Sequence, residues 1–296
     1  MGMLSAWAGP VKVLVVDDSV LMQKLMTQII NSTPGFQVIG VAGSAEEVGG
    51  ANGLAALKRL QNVVRRVADQ WRPASSDEAY HIVKQRLFTQ PDATAIASIN
   101  ATAKAFIDFY RKHSADFPKE ARDPGYEERI RQTYPVHPEL FDTLYEQWSS
   151  LERFQRTRGV LKLVSSIVHE LWASNDTSPL ILPGNVPLDA TTVNTDLTQY
   201  LEDQWKPIID SDIDGPGSTA QQIDLDRPNL GQRFVTQRIA RTIFMGAAPR
   251  IKSTRKGLDK QYLWLGTAVP GDTLGNFGSA VELLAQRSTY FYEEQG

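Results

Sequence analysis

Residues 134–172 read YPVHPELFDTLYEQWSSLERFQRTRGVLKLVSSIVHELW, and this stretch decides the fold class. Pro138 and Glu139 suit the first turn of a helix, because proline is tolerated there and a carboxylate complements the helix dipole. The apolar face of this helix comprises Leu140, Leu144, Tyr145 and Trp148. A second helix starts at or just before Arg158, with an apolar face of Leu161, Val164, Ile167, Val168 and Leu171. The intervals of three and four positions predict two amphipathic helices.

Helical periodicity continues on both sides of this stretch, punctuated by prolines. The pattern predicts helices over residues 52–71, 75–89, 95–114, 124–132, 137–148, 156–173, 191–204, 231–245 and 273–287. Residues 210–229 are acidic and rich in turn residues, which predicts a surface loop or a linker. Residues 262–268 fit either a strand or a short helix, and the aromatic segment 288–293 fits a strand.

The first 45 residues have a different pattern, of strand, helix and strand. The valine-rich run VKVLVV at 11–16 is nearly all apolar, which is typical of a strand buried on both faces of a parallel sheet. VLMQKLMTQIINS at 20–32 carries a helical apolar stripe with Ser19 as its N-cap, and FQVIGVA at 36–42 is a second strand. The order predicts a right-handed β-α-β unit.

Composition excludes several classes of protein. Lys and Arg number 31 against 34 Asp and Glu, a net charge of -3, which argues against an undirected nucleic-acid binder. The absence of cysteine excludes disulfides, thiolate metal sites and cysteine nucleophiles, and the four histidines are too scattered for a His-rich metal site. No run approaches 18 apolar residues and the first residues lack a signal-peptide pattern, so we expect a cytoplasmic protein with no membrane partner.

Residues 11–44 resemble the start of response-regulator receiver domains, especially those of chemotaxis methylesterases. The resemblance rests on the string VLVVDDSVLMQKLMTQIINSTPGFQVIGVAGSAEE, which begins at Val13. The resemblance implies that Asp17 and Asp18 match that family's Mg²⁺-binding acidic pair at the carboxyl end of the first strand. It also implies a third strand ending in a phosphoacceptor aspartate, whereas residues 53–71 have the pattern of an amphipathic helix. The alternative is that the two carboxylates only favour the N-terminus of the next helix.

Residues 44–296 resemble a different family, the large bacterial AAA+-type ATPases classed as domain-of-unknown-function family 499, which are often encoded in phage-defence clusters. The resemblance rests on residues 47–88, on residues 134–172 with their strings HPEL and FQRTRG, and on VPGDTLGNFGSAVELLAQRSTYFYEEQG at 269–296. It implies that the chain holds the helical lid of such an ATPase and the parts that follow the lid.

Arg156 and Arg158 lie at the N-terminal end of the second helix, where the helix dipole disfavours a cation unless an anion is near. In AAA+ proteins the helical lid supplies a sensor arginine to the nucleotide from a comparable helix start. The resemblance therefore implies that Arg158, ahead of Arg156, contacts the γ-phosphate, whose charge a guanidinium neutralises. The alternative is a surface arginine that pairs with Glu152 or another acidic neighbour.

The chain has no G-x-x-x-x-G-K-[ST] motif to cradle phosphates and no apolar strand ending in Asp-Glu to hold Mg²⁺. We therefore expect no enzymatic activity from this chain alone, with ATP and Mg²⁺ as cofactors only where an ATPase core is supplied. The expected partners are that core or other defence-system proteins.

A cluster of basic residues is a further candidate site, where the chain would contact nucleic acid. Tyr262 and Trp264 follow this cluster in the sequence and would stack on bases. Its members are Arg250, Lys252, Arg255 and Lys256. The alternative for this cluster is a solvated loop.

Together these patterns predict a mainly α chain with minor β structure. We expect a truncated receiver-like β-α-β unit at 1–45, a helical AAA+ lid-like domain at 46–205, and a small α/β module, similar to a winged helix, at 206–296. The predicted function is the non-catalytic part of an ATP-dependent phage-defence or DNA-processing ATPase, joined to an incomplete receiver as a chimera or a fragment. The alternative is a response-regulator-like protein of a phosphorelay, which lacks its phosphoacceptor aspartate.

Overall fold

The computed structural model describes residues 10–17, 19–43, 76–151, 154, 156–250 and 257–291. The chain divides into two compact units, Met1–Pro73 and Ala74–Gly296. Helices predominate, and among the described residues the only strands lie in the first unit, which confirms a mainly α fold with minor β structure. The helix predicted at 52–71 lies outside the described residues.

The first unit contains two parallel strands, β1 (Val11–Val16) and β2 (Phe36–Ala42), joined by the helix α1 (Val20–Ser32). The predicted β-α-β order is therefore confirmed. Ser19 caps α1, since its hydroxyl accepts the backbone N–H of Met22 at 3.4 Å.

β1 is not the doubly buried strand that its composition predicts. Val15 is buried, but Leu14 and Val16 are 44% and 39% exposed. No residue of α1 is buried, and Leu21 on this helix is 76% exposed. The reason is that a two-stranded sheet gives an apolar strand only one neighbour, and no other described strand joins this sheet.

The second unit consists of twelve helices among the described residues. They are α2 (Ser76–Leu87), α3 (Ala93–Lys112), α4 (Pro124–Thr133), α5 (Pro138–Asp142), α6 (Arg156–Ala173), α7 (Thr191–Thr198), α8 (Trp205–Ile208), α9 (Thr219–Asp226), α10 (Pro228–Gly231), α11 (Val235–Ala247), α12 (Lys260–Thr267) and α13 (Gly275–Arg287). Two π-helical turns continue α5 and α8, at Thr143–Gln147 and Ile209–Ile213. Short 3-10 turns lie at Glu120–Arg122, Trp148–Ser150, Pro183–Asn185 and Ala248–Arg250. No described helix combines the length and the apolar character that crossing a membrane requires.

One hydrophobic core holds the second unit together, and α11 lies near its centre, packed against α9, α12 and α13. Trp148 links the two halves of the unit, because its indole Nε1 donates to Met245 O at 2.9 Å and its ring packs against Phe244. The largest side chains that are fully shielded from solvent are Trp148, Tyr110, Phe106, Phe117, Phe141, Phe244 and Phe277. Each such side chain contributes about 1.5–3 kcal/mol by leaving water.

The acidic segment 210–229 is not the surface loop or linker that its composition predicts, because it contains α9 and α10. Three of its carboxylates, those of Asp212, Asp214 and Asp224, are buried. Asp224 accepts the backbone N–H groups of Thr236 at 3.0 Å and Gln237 at 3.1 Å, and so caps α11. A buried carboxylate is tolerated when several donors surround it, which composition alone does not reveal.

In the C-terminal part, none of the described residues forms a strand. Residues 262–268, for which strand and helix both fitted, overlap α12. The strand predicted at 288–293 is wrong over 288–291, the described part, because Thr289 and Tyr290 give their backbone N–H groups to Asp212 Oδ2 at 2.9 Å each rather than to a neighbouring strand. The described residues of 206–296 are therefore helical, and none of them forms a strand of the predicted α/β, winged-helix-like module.

Candidate functional site

Arg158 lies in the first turn of α6, where the sequence predicts the helix to start. Its side chain is exposed and makes no hydrogen bond or ion pair with the described residues. The next residue, Gly159, packs so closely on Phe154 that a Cβ there would lie 2.9 Å from the ring, which fixes this turn against the core. Glu152, the alternative partner, and the side chain of Arg156 lie outside the described residues.

Asp17 follows β1, and its carboxylate Oδ1 accepts the backbone N–H of Ser19 at 2.8 Å. Gln23 of α1 donates to the carbonyl oxygen of Asp17 at 2.6 Å and to that of Ala42 at 3.2 Å, which ties the two strand ends together. Asp18 lies outside the described residues. Within the described part of the chain no group of three or more His, Asp or Glu side chains is placed to hold a metal ion. The Mg²⁺ pair therefore stays a prediction, and the contact of Asp17 is that of a turn before a helix.

The basic cluster is only partly described. Arg250 donates from Nη1 to Gly257 O at 3.4 Å and is half-buried, while Lys252, Arg255 and Lys256 lie outside the described residues. Trp264 is 3% exposed and packs edge-on against Phe277, so its ring has no free face for a base.

Residues of the HPEL string contribute to a buried cluster of polar side chains. The sequence alone does not indicate that these side chains are buried. His137 is fully buried at the start of α5, and its Nε2 lies 3.0 Å from the hydroxyl of Tyr110. Its Nδ1 accepts the backbone N–H of Glu139 at 3.1 Å. Burial, with a smaller effect of the nearby Arg129 charge, lowers the pKa of His137 to about 3, so the imidazole is neutral at ordinary pH.

Glu139 is the residue of this cluster whose carboxyl group has a raised pKa. Burial and the negative charge of Asp142 raise the pKa of Glu139 to about 8, although Arg250 and Arg129 act in the opposite direction. Asp142 is itself paired with Arg129 at 2.5 Å. Glu139 therefore carries a proton at neutral pH in surroundings where charges of both signs lie close together.

Helix α12 contacts the segment between α3 and α4, whose Glu120 acts electrostatically on Glu139. The hydroxyl of Tyr262 on α12 donates to the carboxylate of Glu120, and Gln261 donates to Ala115 O at 3.2 Å. The hydrogen bond from Tyr262 lowers the pKa of Glu120, and the same contact raises the pKa of Tyr262 to about 12. These contacts join residues that are more than 140 positions apart, which is why periodicity could not indicate them.

Comparison with known protein families identifies the family to which the second unit is similar. A family model of the DUF499 second domain matches residues 74–256, which is more than half of the chain. The chain belongs to the DUF499 family. No curated protein matches it, and no solved structure matches it.

The DUF499 match starts at the first residue of the second unit. It includes α6 with Arg158, the His137 cluster and all four residues of the basic cluster. The β1–α1–β2 unit lies outside the match, and no comparison supports its likeness to a receiver.

The DUF499 chain also contains buried ion pairs that sequence reasoning missed. Arg238 Nη2 lies 2.7 Å from Asp272 Oδ2, and Arg233 Nε lies 3.1 Å from Asp272 Oδ1. Arg241 Nη2 lies 2.6 Å from Asp214 Oδ1, and burial raises the pKa of Asp214 although Arg241 opposes the shift. These charges neutralise one another around α11, so they are not free to act on a ligand, and removal of one partner would leave a buried charge uncompensated.

Proposed function

We propose that this chain is the nucleotide-responsive helical part of a DUF499 ATPase, and that Arg158 contacts the phosphates of ATP held by a separate ATPase core. The observation that carries this proposal is the exposed Arg158 in the first turn of α6, which has no partner among the described residues and lies inside the family domain that spans 74–256. The setting that we propose is a bacterial phage-defence or DNA-processing system.

The position of Arg158 is electrostatically unfavourable unless an anion is supplied. The N-terminal end of a helix carries the positive end of the dipole and offers unpaired backbone N–H groups, so a cation there is repelled while an anion is attracted. A phosphate group would interact favourably with both the guanidinium and the helix end. A pairing of Arg158 with an acidic side chain has no support among the described residues.

The helix turn that carries Arg158 is packed against the core. The opposite face of α6 is buried through Leu163, Val164 and Ile167, and Gly159 is packed against Phe154. This packing fixes the backbone that carries Arg158, and the guanidinium would stabilise charge on the phosphoryl group once the phosphates are bound beside it.

In this proposal the separate ATPase core carries out the other steps of ATP hydrolysis. The chain has no phosphate-binding G-x-x-x-x-G-K-[ST] motif, so the core would bind ATP and Mg²⁺ and position the attacking water. In this arrangement the chain binds to the core and places one arginine, and it does not hydrolyse ATP by itself.

The test is ATP hydrolysis by a purified DUF499 ATPase core, measured with and without the full chain. We expect the chain to raise the rate and the Arg158→Ala variant to lose most of that increase, roughly a hundredfold for one electrostatic donor. Arg158→Lys keeps the charge but not the planar fork, so we expect partial activity.

Arg227→Ala is the matched control, because Arg227 is also an exposed arginine of the matched domain and its side chain has no partner among the described residues. This variant should stimulate the core as the natural chain does. Equal loss in both variants, or ATP hydrolysis by the chain alone, would contradict the proposal.

A further inference from the structure

The helix α1 of the first unit turns polar side chains inward and apolar side chains to solvent. Gln23 and Thr27 are half-buried and lie four residues apart on one side of the helix. Leu21, Leu25 and Ile29 are 76%, 48% and 57% exposed. At about 100° per residue these three positions fall within an arc of about 80° on the opposite side. An amphipathic helix ordinarily buries its apolar side, so this orientation leaves an apolar face in solvent.

Hydrogen bonds at the ends of both strands determine this orientation. The side-chain amide of Gln23 donates to Asp17 O at 2.6 Å and to Ala42 O at 3.2 Å, so one side of α1 is held against the sheet. Ser19 caps the same helix at its first turn. The exposure of the apolar face therefore follows from the contacts that build the unit.

Exposed large apolar side chains are concentrated in the first unit. Of eighteen such side chains among the described residues, twelve lie between Val11 and Val41. Six of the twelve belong to α1, namely Val20, Leu21, Met22, Leu25, Met26 and Ile29. Contiguous apolar surface of this kind marks a contact site.

The charge of this surface restricts the partner. Lys24 is the only charged residue of α1, and the other charged residues in the described part of the unit are Lys12 and Asp17. A helix that lies on a membrane surface has a polar face rich in Lys and Arg, which α1 lacks. A strongly charged protein would find few opposite charges here. A second copy of the chain offers an equally apolar and nearly uncharged surface.

The area of the α1 face can be compared with the area that a dimer buries. A fully exposed aliphatic side chain offers about 60–120 Å² of apolar surface, so six side chains at about half exposure present about 200–400 Å². A standard interface takes about 800 Å² from each partner, of which about 450 Å² is apolar. The α1 face supplies much of that apolar area, which predicts a weak and reversible dimer.

We propose that the chain forms a homodimer in which the apolar face of α1 packs against the same face of a second copy. Leu21 and Ile29 lie four residues before and after Leu25, so antiparallel pairing centred on Leu25 places Leu21 against Ile29 of the second copy. This pairing also sets the positive end of each helix dipole beside the negative end of the other. Both copies then use the same patch, as a two-fold axis requires.

This interface is independent of the proposed role of Arg158. It lies in the first unit, outside the residues that the DUF499 model matches. Its test needs neither ATP nor an ATPase core, so failure of one proposal leaves the other standing.

The test is sedimentation velocity of the full chain over about a hundredfold range of protein concentration in the micromolar region. We expect a shift from monomer to dimer as the concentration rises. Leu25→Gln should weaken dimerisation roughly tenfold or more, because two copies of this side chain leave the interface. Leu225→Gln is the matched control, since Leu225 of α9 is also exposed, at 75%, and this variant should dimerise as the natural chain does.

The absence of cysteine from the chain allows a second measurement. Under mild oxidation Leu25→Cys should form a disulfide-linked dimer, because antiparallel pairing brings the two introduced thiols together at its centre and a disulfide forms only at close approach. Leu225→Cys is the control and should stay largely unlinked. Both positions are exposed, so these substitutions leave the cores of the two units unchanged.

Three results would overturn the inference. They are a chain that stays monomeric at every concentration, a Leu25→Gln variant that dimerises as the natural chain does, and equal cross-linking of the two cysteine variants. Binding to lipid vesicles that Leu25→Gln abolishes, in a chain that remains monomeric, would also overturn it, because the face would then serve a membrane contact.

Discussion

The hydroxyl of Tyr110 and Nε2 of His137 form a buried hydrogen bond of 3.0 Å between α3 and the start of α5. Because Nδ1 of the same ring accepts the backbone N–H of Glu139, Nε2 carries the proton and donates it to the phenolic oxygen. One neutral imidazole thus caps α5 and ties it to the core.

Replacement of Tyr110 by Phe should destabilise the protein by about 1–3 kcal/mol, because the buried Nε2–H of His137 would lose its acceptor. Chemical denaturation followed by circular dichroism measures this change. The exposed Tyr290→Phe serves as the control and should alter the free energy of unfolding by less than about 0.5 kcal/mol. An unchanged stability of Tyr110→Phe would show that the hydrogen bond is not made in solution.

Glu139→Gln should stabilise the protein, and the gain should depend on pH. The pKa of Glu139 is raised from 4.5 to about 8, so between these values the unfolded chain has lost a proton that the folded chain keeps. The natural protein therefore loses stability as pH rises through this window, whereas glutamine does not titrate. A tenfold change in an acid dissociation constant corresponds to about 1.4 kcal/mol, so the raised pKa of Glu139 gives a difference of a few kcal/mol above pH 8.

Urea denaturation of both proteins at about pH 4 and about pH 9 measures this difference. The exposed Glu146→Gln, on the π-helical turn that follows α5, is the control and should show no growth of the difference with pH. A Glu139→Gln gain that is equal at both pH values would rule out a raised pKa.

The local sequence pattern predicted several helices correctly, but it did not predict which polar side chains are buried. The helices predicted at 75–89, 95–114, 124–132 and 156–173 agree with α2, α3, α4 and α6, because proline breaks and apolar spacing act within one element. The prediction of a loop or linker at 210–229 was wrong because the carboxylates of Asp212 and Asp224 accept backbone N–H groups from residues in later parts of the chain. The start of α11 shifted to Val235 because Phe234 has a left-handed φ of 51°.

The candidate sites divide in the same way. Arg158 was singled out by the family resemblance together with its place at a helix start, which is a local property, and its role stays a prediction. The raised pKa of Glu139 arises from burial and from Asp142, Arg250 and Arg129 acting together, which requires the tertiary fold.

Replacement of Asp272 by Ala should destabilise the protein by about 3–5 kcal/mol, because it leaves the guanidinium of Arg238 buried without its carboxylate. The matched control is Asp226→Ala, which breaks an exposed pair with Arg287 at 2.8 Å and should cost less than about 1 kcal/mol. Thermal unfolding of both variants decides the point, and similar melting temperatures would mean that the Asp272 contacts contribute nothing.

Phe234→Gly should stabilise the protein by about 1 kcal/mol. Phe234 holds a left-handed conformation that glycine adopts without a steric penalty, and its ring is 61% exposed, so little packing is lost. Phe234→Ala keeps the strain and removes the ring, so it should not stabilise. A lower free energy of unfolding for the glycine variant than for the alanine variant would contradict this explanation.

The most direct test of the proposed role of Arg158 is the effect of Arg158→Ala on the kcat and KM of ATP hydrolysis by a DUF499 core mixed with the full chain. If Arg158 acts on the phosphoryl group as charge develops, its removal should lower kcat by roughly a hundredfold while KM changes little. An unchanged kcat, with Arg227→Ala and the natural chain giving the same rate, would show that Arg158 is an ordinary surface arginine.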